Sequence, residues 1–177
     1  MAEVGAVRVA AYQAGGFLSA DSGYTPMLRD LGADGNGRVL VAVVPASAHH
    51  ARTAGPAPAA GETERIVGTI MLQTWPQAEP VVTAPHEAEI RALAVRPDFQ
   101  GQGLGRELLQ HAMDRAIGLG VRHLVLSTEP RMRAAHRLYE QAGFVRLPER
   151  DWSPVPGVTL LVYGLNLDDW CRARPPN

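Results

Sequence analysis

The alternation of apolar and polar positions changes period along the chain, and the changes predict a mixed architecture. Residues 5–17 (GAVRVAAYQAGGF) predict a helix carrying Val7, Ala10, Ala11 and Tyr12 and ended by Gly15-Gly16, although Val7 and Val9 also permit a strand. A second short helix is predicted from Thr25 to Leu31, with Thr25 as N-cap and Pro26 at the first helical position. The turn Asp34-Gly35-Asn36-Gly37 then leads into Arg38–Val44, a β-branched run predicted as a buried strand ended by Pro45. Arg65–Trp75 predicts a second strand with Gly68 at a bulge, and Glu87–Val95 a third. In the third strand, Ile90, Ala92 and Ala94 point to one face and Glu89, Arg91, Leu93 and Val95 to the other. That second face turns from charged to apolar along its length, as expected if its start borders a wet cleft.

Beyond this strand the period becomes helical. Leu93–Leu109 (LAVRPDFQGQGLGRELL) passes from an apolar run through a glycine-rich turn at Gly101, Gly103 and Gly105 into a helix predicted from Leu104 to about Leu119. Leu104, Leu108, Leu109, Ala112, Met113 and Ala116 form its apolar stripe. His123–Thr128 predicts a strand parallel to Glu87–Val95, because a crossover helix joins the two. A helix over 131–142 follows, with Met132, Ala135, Leu138, Tyr139 and Ala142 inward and Gly143 as its stop. Phe144–Leu147 is predicted as a short strand, 148–157 as a loop and Val158–Leu165 as the last strand. The fold class predicted is α/β (α+β): a mixed, largely antiparallel sheet with one central parallel βαβ pair. One domain is expected over 1–177, with a mobile Ala/Pro/Gly loop at 46–61 and a tail at 166–177.

Composition narrows the chemistry. With 177 residues the chain is long enough for one substantial core. A formal charge of −1 gives no reason to expect nucleic acid or an anionic membrane as partner. All 17 basic residues are arginine, which excludes a P-loop lysine, a Schiff base and a lysine nucleophile. The one cysteine, Cys171, excludes a disulfide framework and a multi-cysteine zinc site. His49-His50 lacks further ligands at metal spacing, so no metal is expected. No apolar run reaches the roughly 18 residues needed to cross a bilayer, and the N-terminus lacks a secretory pattern, so a cytoplasmic protein is expected.

A glycine-rich loop at a helix N-terminus suits a phosphate, because bare N–H groups and the helix dipole both favour negative charge there. The dinucleotide fingerprint G-x-G-x-x-G fits only in its first half, since Arg106 stands at the third glycine. A third pattern fits better. Gln100-x-x-Gly103-x-Gly105, after Leu93-Ala94-Val95-x-Pro97, resembles motif A of the GNAT superfamily of N-acetyltransferases. Arg137-Leu138-Tyr139-Glu140 with Ala142-Gly143-Phe144 resembles its motif B at the expected separation, and the likeness covers about residues 64–165.

The resemblance implies a sheet splayed between the two central strands, with helices on both faces and acetyl-CoA in the gap. Its pantetheine arm would pair with the backbone of Leu93, Ala94 and Val95. Its pyrophosphate would take amide N–H groups from Gln100, Gly101, Gln102, Gly103, Leu104, Gly105 and Arg106. A Cβ at the glycines is expected to stand between amide and phosphate. Acetyl transfer to an amine needs a base, an oxyanion donor and an acid for the leaving thiolate. The resemblance marks Tyr139 as the acid, against the alternative of a core aromatic. Glu89 is the candidate base, against a strand-edge carboxylate paired to Arg91, with Glu87 as fallback and a backbone N–H of Leu93–Val95 as oxyanion donor. Two departures stand out: Met132 stands where an asparagine is common in the family, and the sequence opens on the predicted first helix, so that either its start is truncated or the sheet lacks the usual first strand.

The acceptor, a small-molecule or peptide amine, would be lined by 17–31, 75–86 and 147–157, with Trp75 and Trp152 as candidate walls. Glu79, Glu87, Glu89, Glu149 and Asp151 would suit a cation. The expected activity is N-acetyl transfer to a primary amine by direct attack in a ternary complex. A non-catalytic acyl-CoA-binding regulatory domain and a nicotinamide-dependent oxidoreductase are the alternatives, and a homodimer is left open.

Overall fold

A computed structural model describes residues 1–19, 22–48, 63–78, 80–155 and 157–173. The predicted 46–61 connection, with His49-His50, lies outside the described residues from position 49 onward, and so does Glu79.

Two helices come first. Helix α1 (Ala2–Ala14) begins three residues earlier than the periodicity predicts, with Glu3 in its first turn, where a carboxylate favours the dipole. Helix α2 (Tyr24–Asp30) starts after Gly23 rather than Thr25 and has no side-chain cap, while Ser22 Oγ accepts the Tyr24 amide at 3.3 Å. Thr25 is therefore inside the helix and Pro26 is its third residue. A side chain at Gly5 would collide with the Arg29 carbonyl, which is what lets these two helices approach. Among the described residues no strand precedes them.

The strands are β1 (Arg38–Pro45), β2 (Glu64–Thr74), β3 (Glu87–Val95), β4 (His123–Thr128), β5 (Val145–Arg146), β6 (Trp152–Val155) and β7 (Val158–Asn166). They form an open seven-stranded sheet in the order β1-β2-β3-β4-β7-β5, with β6 paired to β7. Strands β3 and β4 are parallel, from Glu87↔His123 to Ile90↔Leu126. Strand β7 is antiparallel to β4, β5 and β6. Helix α3 (Leu104–Gly118) is the crossover between β3 and β4, as predicted, and helix α4 (Arg133–Gln141) follows β4. The fold is thus the mixed, largely antiparallel α/β sheet expected, with one central parallel pair.

Three local expectations are corrected. Alternation along β3 does not run to its end: Ala92 takes φ +49, so the face assignment of Leu93 and Val95 cannot be carried from Glu89 by counting twos. The predicted 148–157 loop contains β6, whose pairing with β7 shifts register between Trp152 and Val155 and so accommodates Pro154. The predicted tail contains helix α5 (Leu167–Ala173), because Asn166 Oδ1 accepts the amides of Asp168 and Asp169 at 2.9 and 3.1 Å and Leu167 is buried.

The chain divides into two compact units, 1–71 with 92–110 and 72–91 with 111–177. In the first, Val4, Val7, Leu28, Val67, Ile70, Phe99, Leu108 and Leu109 are buried. Gly68 serves close packing there, since a Cβ would lie 2.9 Å from Leu108 Cδ1. In the second, the core holds Ala88, Ile90, Leu124, Leu126, Val162 and Leu165.

Candidate active site

The second unit carries the carboxylates. Parallel register puts Glu87 beside His123 and Glu89 beside Val125, and in-register side chains share a face. Glu87 accepts from Arg150 at 2.8 and 2.9 Å, from the Thr83 amide at 2.9 Å and from Thr83 Oγ1 at 3.1 Å. His123 Nδ1 is 3.0 Å away. Burial alone would raise its pKa, but Arg150, the Thr83 amide and His123 together outweigh it and hold the carboxyl far below its ordinary range. Glu87 is a permanently ionised clamp, unsuited to accept a proton at neutral pH.

Glu89 has the opposite environment. It is equally buried, at 5% exposure, yet among the described residues it accepts no hydrogen bond. Its nearest cation is Arg91, with Nε 3.5 Å from Oε2. Burial raises its pKa and Arg91 lowers it, and burial prevails, placing it at about 7. The pair with Arg91 and a basic role are therefore compatible. Arg91 Nη1 also donates to Gln73 Oε1 at 2.9 Å.

Beside Glu89, Val125 belongs to a cluster with Ala78, Val81 and Val82, against which Trp75, Leu147 and Trp152 pack. Both loops named as acceptor walls in this unit therefore rest on the sheet face that carries Glu89. Trp152 is fixed by Nε1–H donation to Ser127 Oγ at 3.0 Å. Gly164 makes room for the floor, since a Cβ would meet Leu147 Cδ1 at 2.6 Å and the His123 ring at 3.1 Å. The acidic lining is reduced. Arg150 neutralises Glu87, Arg146 binds both oxygens of Asp151 at 2.8 Å, and Glu149 is exposed.

Tyr139, on α4, is 7% exposed, and its ring lies 6.0 Å from Phe144 and 6.4 Å from Tyr163. Among the described residues its hydroxyl makes no hydrogen bond, and burial pushes its pKa above the ordinary tyrosine value. It stays a protonated donor without an internal acceptor. Met132 is the N-cap of α4 and supplies no capping bond, while Arg131 pairs with Glu129 at 2.8 Å.

The glycine loop belongs to the first unit. Gly101 and Gly103 take φ +76 and +87, and a Cβ on either would meet nothing within 4 Å. They are glycine for backbone conformation, and the space above them is open, rather than for want of room for a Cβ. Gln100 Nε2 donates to the Val95 carbonyl at 3.0 Å and Gln102 Nε2 to the Asp98 carbonyl at 3.2 Å, bracing the loop against the strand end. Of the amides assigned to phosphate, Arg106 N–H already donates to the Gly103 carbonyl at 2.9 Å. Leu104 and Gly105 open α3, where first-turn amides lack helical acceptors. Among the described residues no cluster of His, Cys, Asp or Glu suits a metal ion.

Buried Glu89 and Tyr139 belong to the second unit, and the glycine-rich loop that precedes the crossover helix belongs to the first. The sequence profile of the Acetyltransferase (GNAT) family matches residues 35–144, well over half of the chain, and the chain belongs to that family. It is 38% identical over 88 residues to the [ribosomal protein bS18]-alanine N-acetyltransferase of Escherichia coli K12, a match covering 49% of this chain and 60% of that relative. It is 42% identical over 65 residues to the N-alpha-acetyltransferase RimI of Mycobacterium tuberculosis, covering 37% of this chain and 39% of that one. The curated relatives are thus matched over 60% or less of these two proteins' lengths. A GNAT-family acetyltransferase structure from Staphylococcus aureus superposes with a TM-score of 0.66 at 16% identity, over 93% of this chain and 91% of that one, and shows the same fold.

Sequence reasoning missed the partners that separate the two glutamates. Arg150 and Glu87 are 63 residues apart, and Gln73 and Arg91 are 18 apart, so neither pair leaves a local signal.

Proposed function

We propose that this chain is an acetyl-CoA-dependent N-acetyltransferase in which an amine attacks the thioester directly, with Glu89 as base and Tyr139 as donor to the leaving sulfur. The carrying observation is Glu89: a buried strand carboxylate whose pKa, at about 7, suits proton transfer at neutral pH. Leu93, Ala94 and Val95 are assigned to the pantetheine arm, and the loop from Gln100 to Gly105 to the pyrophosphate. A backbone N–H of Leu93–Val95 is assigned to the oxyanion. The one cysteine of the chain is exposed on α5, which favours direct attack over a cysteine acyl intermediate.

The base also selects an acceptor. An α-amino group has a pKa near 8 and a lysine ammonium about 10.4, so a base near 7 removes the first proton about 1 unit uphill and the second more than about 3. Discrimination of roughly 3 kcal/mol follows if the amine arrives protonated. The named activities of the two relatives, alanine N-acetylation and N-alpha-acetylation, point the same way. The acceptor proposed is the α-amine of a peptide.

Thermal unfolding with acetyl-CoA or NAD, followed by thiol release with peptides, tests this reading. Acetyl-CoA is expected to raise Tm and NAD to leave it unchanged. A peptide with free N-terminal alanine should release thiol, and an N-blocked peptide with an internal lysine should release far less. Glu89→Gln should lower turnover by about 100- to 10,000-fold. Acetyl-CoA binding without thiol release across an amine panel would instead support the regulatory domain.

A further inference from the structure

Strand β2 lies beside β3, and between Gln73 on one and Glu89 on the other stands a cation. Arg91 Nη1 donates to Gln73 Oε1 at 2.9 Å, while Arg91 Nε lies 3.5 Å from Glu89 Oε2. Gln73 and Glu89 are each 5% exposed, whereas the Arg91 side chain is 30% exposed. A half-exposed arginine ordinarily samples many rotamers. A buried amide on the neighbouring strand restricts this one. The anchor is also neutral: a carboxylate at 73 would hold Arg91 equally well but oppose its field at Glu89.

We propose that Gln73 and Arg91 form a positioning pair that holds an uncancelled positive charge beside Glu89 and so keeps this buried carboxylate available as an anion. The inference rests on the reading of Glu89 as the base. Other charges near Glu89 are already engaged. On β3, Glu87 is closed off by Arg150 from the 148–150 turn, by Thr83 and by His123 of β4. The in-register neighbour on β4, Val125, is apolar, and β2 contributes the neutral Gln73. Arg91 is the one charged group acting on Glu89 among the described residues. Burial pulls toward the neutral acid and Arg91 toward the anion, so the guanidinium sets where the balance lies.

The test is a titration of the full chain labelled with ¹³C at glutamate carboxyls, the Glu89 resonance being assigned by its loss in Glu89→Gln. The wild-type midpoint is expected near pH 7. Arg91→Gln should raise it by about 1 unit or more, the lower end of what a neighbouring opposite charge contributes. Gln73→Glu preserves shape and the bond to Arg91, so it should fold even if Arg91→Gln does not. It should also raise the midpoint, because a carboxylate at 73 opposes the field of Arg91 at Glu89. The acidic limb of kcat/KM for thiol release should move with the midpoint in both variants. An unchanged midpoint in a folded Arg91→Gln, or in Gln73→Glu, overturns the pair while leaving Glu89 as base. Full turnover in Glu89→Gln overturns the base reading and with it the catalytic purpose of the pair, even where the midpoints shift.

Discussion

Arg150, Thr83 and His123 converge on Glu87, while among the described residues Glu89, two residues on, has only Arg91 at 3.5 Å. Composition treats the two carboxylates alike; their partners hold Glu87 ionised and leave Glu89 with a raised pKa, as the proposed base requires. Glu87→Gln leaves Arg150 half-buried without its counter-charge, and the expected cost is about 3 kcal/mol, measured by urea unfolding at pH 7. Thiol release per folded molecule should remain within a few-fold of wild type, so a loss as deep as that of Glu89→Gln would reinstate Glu87 as base. Tyr139→Phe is the converse case. Among the described residues the hydroxyl makes no hydrogen bond, and the ring keeps its contacts with Phe144 and Tyr163, so stability should change by less than about 1 kcal/mol. Turnover should fall, and unchanged turnover would remove the tyrosine from the chemistry.

Among the elements, the loop between β3 and α3 shows what glycine spacing reveals. From sequence, Gly101 and Gly103 are expected to keep side chains clear of a phosphate; the structure adds that both take a left-handed backbone, which glycine adopts freely. Gly103→Ala forces a side chain onto φ +87 at an expected cost of about 1 kcal/mol. Because the space above Gly103 is open, its folded state should persist, and the acetyl-CoA-induced rise in Tm should shrink. An undiminished rise would move the phosphate elsewhere. Strands β3 and β4 match their predicted limits residue for residue, both being short segments bounded by turn residues. Ala92 was illegible, since nothing about alanine signals φ +49. So was β6: Trp152-Ser153-Pro154-Val155 has a proline, and its pairing depends on β7 rather than on its own pattern. Helix α5 was masked by its polarity, and its cap at Asn166 becomes visible only once β7 is known to end there.

At the scale of the whole molecule, the raised pKa of Glu89 that suits the proposed base also bears on stability. An unfolded glutamate loses its proton near 4.5, whereas Glu89 in the folded chain retains its proton up to about 7. Between these values the folded state binds one more proton than the unfolded state, so stability falls as pH rises through the window and levels off above it. About 2.5 units at about 1.4 kcal/mol each bounds the loss at roughly 3 to 4 kcal/mol. Glu87 has the reverse sign: its folded pKa is depressed, so its contribution is present above 4.5 and is lost only as pH falls toward strong acid. Substituting Glu89 with Gln removes the first effect and leaves the second. The difference in unfolding free energy between Glu89→Gln and wild type, measured with urea across pH 4 to 9, should be small at the acid end. It should grow in favour of the variant through pH 5 to 7 and then stay flat. Wild-type turnover should rise over the same upper part of the window in which wild-type stability declines, because both follow one deprotonation. A stability difference independent of pH would mean that Glu89 is ionised at its ordinary value, and the base would then have to be sought elsewhere.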